Sequence, residues 1–210
     1  LPVDSEHFSI WYGLKDNNDK VSKITITASG GPFYDYPIKN FNKIKVKQAL
    51  KHPNWKMGKK ISIDSATMMN KVFEIIEAKN IFELNYKDLR ILIHPKSYVH
   101  AIIQFKNGMS KIIVHDTNMI IPIFNTLYSE SNKKIKSKDL RIDILNNLSL
   151  KKVNLKRFPL VNILKYLPNN HSLYETLVVS INDTLVNLFL DGKINFTDIS
   201  KKFIELIKLK

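Results

Sequence analysis

The sequence predicts an α+β fold, a mixed sheet with helices, followed by a linker and a small C-terminal helical bundle. Three observations carry this. Strand-type alternation is confined to the first 115 residues and is interleaved there with helical spacing. Residues 129–156 are polar, rich in Lys, Asn and Ser, and weakly periodic. From Pro159 onward only helical spacing recurs. The expected division is 1–128, a linker over 129–158, and a helical unit over 159–210. A unit of about 50 residues is marginal alone and should pack against the rest or a partner.

The elements follow in order. Asp4, Ser5 and Glu6 precede helical apolar spacing over 8–14, with Asp4 or Ser5 as the cap. Residues 22–27 alternate around Ile24 and Ile26 and form a strand running into Ser29-Gly30-Gly31-Pro32, a turn whose glycines let backbone approach a ligand. A short helix is expected over 44–52. Residues 52–60 form a loop broken by Pro53 and Gly58, with Trp55 exposed. A helix follows over 65–79 and a buried strand over 89–93. Strands 99–105 and 109–115 make a hairpin around Asn107-Gly108, a pair that favours a type I′ turn. A helix over 119–128 is expected to be interrupted or kinked at Pro122. The last three helices are 160–167, 173–190 and 196–209, the final two separated by Asp191-Gly192.

Composition narrows the function. The 210 residues are 44% hydrophobic and 25% charged, as in an ordinary globular protein, and contain no cysteine. Disulfide scaffolds, thiolate metal sites and Cys nucleophiles are excluded for this sequence, and a reducing compartment suits it. No apolar run is long enough for a membrane span. The opening Leu1-Pro2-Val3-Asp4 suggests a piece of a longer chain. The net charge of +14 invites a nucleic-acid module, yet only Arg90, Arg141 and Arg157 among the 33 cations are arginines, and the lysines are scattered. Base readout leans on arginine. The same basic field would attract a small phosphorylated substrate.

Several residues can carry chemistry, and each has a plain structural alternative. Asp4 and Glu6, two apart in extended chain, would face one side and suit a hard divalent cation, or they cap and charge a helix start. Asn70, Lys71 and Glu74 share a helix face, to complete a metal site beside a phosphate or to form a surface Lys–Glu pair. Ser29-Gly30-Gly31 is a weak phosphate-loop signal, and no dinucleotide fingerprint is present. Trp55 could close over a ligand or tuck into the core. His94 and His100 bracket a strand edge as structural groups.

Together, LPVDSEH at 1–7, SGGPF at 29–33, HPNWKMGKKISIDSATMMNK at 52–71 and IHPKS followed by His100 resemble the 1-deoxy-D-xylulose 5-phosphate reductoisomerases of the non-mevalonate isoprenoid pathway. The resemblance runs over residues 1 to about 125 and resumes at Asn182-Asp183 and 196–199. It implies a catalytic domain and C-terminal bundle, with the NADPH-binding Rossmann domain of the same chain missing. It implies that Asp4, Glu6 and Glu74 bind Mn²⁺ or Mg²⁺, and that Ser29, Ser65, Asn70 and Lys71 hold the substrate phosphate and hydroxyls. Ser5 and His52 would touch substrate. Residues 52–60 would be a lid, with Trp55 over the substrate and Met57 and Gly58 toward the nicotinamide. Glu6, His52, Lys71 and Glu74 would form the catalytic group.

The implied partners are a small phosphorylated sugar, NADPH and a second copy in a homodimer, with no nucleic acid and no membrane. The implied location is cytoplasmic, with an upstream targeting segment left open. A basic nucleic-acid module and a non-catalytic remnant of the family are the alternatives. The sequence departs from the family at Val72, where glycine is usual, at Thr117-Asn118-Met119 and at Asn182-Asp183. Over 129–160 the resemblance fades.

Overall fold

The computed structural model describes residues 1–16, 19–170 and 172–208. The chain divides into two compact units, one of Leu1–Ser29 with Lys87–Lys152 and the other of Gly30–Tyr86 with Val153–Lys210. The second unit's first segment is thus inserted, in chain order, between two strands of the first.

The first unit holds α1 (Ser5–Leu14), β1 (Val21–Ala28), β2 (Leu89–Ile93), β3 (Val99–Phe105), β4 (Ser110–Val114), α5 (Ile120–Leu127), α6 (Ile142–Leu145) and β5 (Lys151–Lys152). The five strands form one mixed sheet in the order β4-β3-β1-β2-β5. β1 runs parallel to β2, pairing Ile24 with Leu89, and antiparallel to β3, pairing Ile24 with Ile103. Ile24, Ile26, Ile93, Val99 and Ile103 are buried, as expected for central strands covered on their faces. α1 packs Phe8 and Ile10 into this core. The segment expected as a linker contains α6 and β5, which pairs with β2.

Two local expectations change. The hairpin turn is not type I′. Gly108 has φ 89, but Asn107 is not among the positive-φ residues. The Phe105 N–H bonds to the Met109 carbonyl at 2.9 Å, so the loop has three residues and closes with a left-handed glycine instead. Pro122 lies in the first turn of α5, where no intrahelical N–H bond is lost, so it ends no helix.

The second unit holds α2 (Val46–Ala49), α3 (Lys59–Thr67), α4 (Met69–Ile81), α7 (Tyr174–Leu190) and α8 (Phe196–Ile207), with 3₁₀ turns at Gly31–Phe33, Ile38–Lys43 and Pro159–Lys165. The helix expected over 65–79 is two helices. α3 begins earlier, at Lys59, which shortens the predicted loop, and Met68 breaks the run in a left-handed conformation at φ 65. The stretch expected as a helix over 160–167 is 3₁₀. The final helix ends at Ile207, and Leu209 lies outside the described residues. The core is aromatic: Phe33, Phe41, Phe189 and Phe196 meet edge-on or tilted at 5.1–6.1 Å between ring centres. Among the described residues, no helix is long and apolar enough to cross a membrane.

Candidate active site

In the first unit the candidate residues gather at the start of α1. Asp4 is its N-cap, and Asp4 Oδ1 accepts the N–H groups of Glu6 at 3.1 Å and His7 at 3.3 Å. This satisfies orphan donors of the first turn. The helix starts at Ser5, so Glu6 is helical and the expected extended arrangement of the two carboxylates is not found. Both acids instead sit at the positive end of the helix dipole, which favours their charge. The buried Ser5 hydroxyl donates to the Glu6 carboxylate. Ser29 follows directly on β1 and is half-buried.

The sequence reading passed over His115. Its ring stacks on His100, 3.6 Å between centres and nearly parallel, while its Nδ1 donates to the Asp116 carbonyl at 2.8 Å. Burial pushes its pKa down, against the Asp116 carbonyl and the nearby Glu6 carboxylate, which pull it up. His100 Nε2 lies 3.1 Å from the His115 carbonyl; His94 is buried with Nδ1 3.4 Å from the Ser149 carbonyl, while its Nε2 has no hydrogen-bond partner among the described residues.

In the second unit α4 carries the polar face that the spacing foresaw, with Lys71 and Glu74 buried and Asn70 half-buried. Lys71 Nζ donates to both oxygens of Glu74, at 2.8 and 2.7 Å, and the Asn70 amide donates to Oε1 of the same carboxylate. Lys71 is 9% exposed and Glu74 4%. The reading as a solvated surface pair is therefore incorrect: the two charges are held together where desolvation is costly, and either one alone would be a liability. Ser65 lies in the last turn of α3, half-buried, just before the Met68 break from which α4 sets off.

One residue before Ser65, Asp64 accepts Asn182 Nδ2 and Lys60 Nζ, each at 2.7 Å, and Lys60 reaches Asp183 at 3.0 Å. Burial raises the pKa of Asp64 despite these partners. This tie between α3 and α7 was not anticipated.

Residues 52–58 have no regular structure. His52 Nδ1 accepts the N–H groups of Asn54 at 3.1 Å and Trp55 at 3.0 Å. A ring nitrogen accepting two such bonds carries no proton, so the neutral ring holds its proton on Nε2. Burial, then the Lys71 ammonium, lower the pKa of His52 from 6.5 to about 4. At neutral pH it is a hydrogen-bond donor through Nε2, not a cation. Trp55 and Met57 are half-buried along this segment. Gly58 caps α3, and a Cβ there would meet nothing within 4 Å.

Comparison with known proteins gives one answer. The family model for the 1-deoxy-D-xylulose 5-phosphate reductoisomerase C-terminal domain matches residues 1–82, and that for the DXP reductoisomerase C-terminal domain matches residues 115–209. The second match takes in the stretch over 129–160 where the motifs fade. The chain is 64% identical over 208 residues to the 1-deoxy-D-xylulose 5-phosphate reductoisomerase of Pelagibacter ubique (strain HTCC1062), covering 98% of this chain and 53% of that protein. It is 40% identical over 209 residues to that of Sulfurihydrogenibium sp. (strain YO3AOP1), covering 99% and 56%.

Among solved structures, the 1-deoxy-D-xylulose 5-phosphate reductoisomerase from Zymomonas mobilis in complex with NADPH superposes with a TM-score of 0.89 at 32% identity. A DOX-P reductoisomerase in complex with NADPH, fosmidomycin and magnesium superposes with a TM-score of 0.86 at 33% identity. Each match covers 100% of this chain and 54% of the solved one. The chain spans about half the length of the curated relatives it matches. By sequence and by fold alike, the chain belongs to the 1-deoxy-D-xylulose 5-phosphate reductoisomerase family.

Proposed function

We propose that this chain supplies the metal- and substrate-holding part of an NADPH-dependent reductoisomerase. The reaction rearranges 1-deoxy-D-xylulose 5-phosphate and reduces the resulting aldehyde to 2-C-methyl-D-erythritol 4-phosphate, in non-mevalonate isoprenoid synthesis. The observation that carries the proposal is the buried Lys71–Glu74 pair of α4 with the half-buried Asn70 bonded to it, an expensive arrangement to keep without a ligand to serve. NADPH and magnesium accompany relatives of known structure. The nucleic-acid reading has no such support.

Asp4, Glu6 and Glu74 would hold the divalent cation. All three are carboxylates, the hard oxygen donors that suit Mg²⁺ or Mn²⁺. When bound, the metal supplies Lewis acidity toward the substrate oxygens. Lys71 and Asn70 fix the orientation of the Glu74 carboxylate. Ser29, Ser65, Asn70 and Lys71 offer the phosphate directional donors and a point charge. Ser5 orients Glu6, and His52 donates through Nε2 to a substrate oxygen. Residues 52–58 would close over the site, Trp55 toward the substrate and Met57 and Gly58 toward the nicotinamide, excluding water from the aldehyde.

NADPH would be held by an N-terminal domain of the same protein, and the working form would be a cytoplasmic homodimer. Titration of Mn²⁺ into the full-length protein tests the ligand set. Glu74→Gln, which keeps an oxygen acceptor for Lys71 but removes the ligand charge, should abolish measurable affinity; Mn²⁺ bound as tightly as by the parent would remove Glu74 from the set.

A further inference from the structure

We infer that Arg157 is a positioning residue for the substrate phosphate, acting through the Gly30–Gly31 turn on Ser65. The inference rests on the proposed reading of Ser65 as a phosphate holder. Arg157 Nη1 donates to two backbone carbonyls, Phe33 at 2.6 Å and Tyr36 at 2.5 Å, and its guanidinium lies 5.5 Å from the centre of the Phe41 ring. A planar cation seated on an aromatic face and forked onto carbonyls is held more firmly than a lysine could be. The clamped segment is the 3₁₀ turn Gly31–Phe33 and its exit.

The other edge of that turn lies on α3. A Cβ at Gly31 would stand 2.8 Å from the Ser65 carbonyl oxygen and 3.1 Å from the Ala66 Cα. Gly30 and Gly31 both have positive φ, 88° and 65°, so the turn is specified by conformation as well as by contact. Arg157 therefore fixes one end of a short rigid element whose other end touches the α3 backbone at Ser65. Arg157 donates to carbonyls on the clamped segment and has no assigned part in the reaction. Its contribution is to hold the turn, and with it the placement of Ser65.

A double-mutant cycle on the full-length enzyme tests this, reading KM for 1-deoxy-D-xylulose 5-phosphate, kcat and melting temperature. Arg157→Met, which keeps the apolar stem, should raise KM about tenfold with kcat within about twofold, and Arg157→Lys should fall between. In a Ser65→Ala background Arg157→Met should add less than about twofold, since coupled residues are not additive. Independent multiplication of the two effects, or parallel loss of kcat and melting temperature, would overturn the inference. Should Arg157→Met not fold, Phe41→Leu loosens the guanidinium's seat and must show the same coupling to Ser65; additivity there also overturns it. Failure of the site reading looks different, because Ser65→Ala alone would then leave KM unchanged.

Discussion

Gly31→Ala puts the close approach of the Gly31 backbone to α3 to the test. The residue sits at φ 65, where any L side chain is strained by about 1–2 kcal/mol. The added methyl would meet the Ser65 carbonyl oxygen at 2.8 Å and the Ala66 Cα at 3.1 Å. Both are backbone atoms of α3, so no flexible side chain can yield, and overpacking adds about 1–3 kcal/mol. The two together give about 2–5 kcal/mol. Two other glycines separate the contributions. Gly108 has φ 89 but nothing within 4 Å of its Cβ position, so Gly108→Ala should cost about 1–2 kcal/mol from strain alone. Gly58 has φ −62 and open surroundings, so the gain of about 0.4–1 kcal/mol from a less flexible unfolded chain is offset by the poorer N-cap that Ala makes, and Gly58→Ala should be near neutral. Thermal unfolding of the full-length protein should rank Gly31→Ala lowest, then Gly108→Ala, then the parent and Gly58→Ala. A Gly31→Ala protein that melts with Gly108→Ala would show that the contact with α3 contributes nothing.

Two further outcomes follow from the site. His52 has a folded pKa of about 4 against an ordinary 6.5, so between these values the unfolded chain binds the proton and the folded chain does not. Its effect on stability is nil above about pH 6.5 and increasingly unfavourable as pH falls toward 4; His52→Asn should flatten the stability-versus-pH slope in that window, and an unchanged slope would contradict its burial as a neutral ring. Asn182→Ala removes a buried donor at 2.7 Å from Asp64, which should cost about 1–3 kcal/mol and lower the melting temperature by at least about 2 °C; an unchanged melt would show that Lys60 alone satisfies Asp64.

What the sequence made legible follows from periodicity. β1 was readable because Ile24 and Ile26 alternate with polar residues, β2 because Leu89 to Ile93 is a short, mostly apolar run, and α7 and α8 because their apolar spacing is sustained. The break at Met68 was not, since methionine has no left-handed preference and Ser65 to Lys79 reads as one amphipathic run. The start of α3 was hidden because Gly58-Lys59-Lys60 looks like loop. The face shared by Asn70, Lys71 and Glu74 was visible from spacing, but an i,i+3 ion pair reads the same exposed or buried, and only packing decides. Asp64 and Asn182 are 118 positions apart, and Arg157 addresses carbonyls, which carry no side-chain signature. Val72, where the family favours glycine, is fully buried, a difference absorbed within the core.

The most direct test of the account is NADPH oxidation by the full-length protein with 1-deoxy-D-xylulose 5-phosphate, first with Mg²⁺ or Mn²⁺ and then with EDTA. The account predicts turnover that EDTA abolishes and added metal restores. A folded protein that binds NADPH and the metal yet shows no turnover would contradict it and leave a remnant that has kept the fold without the reaction.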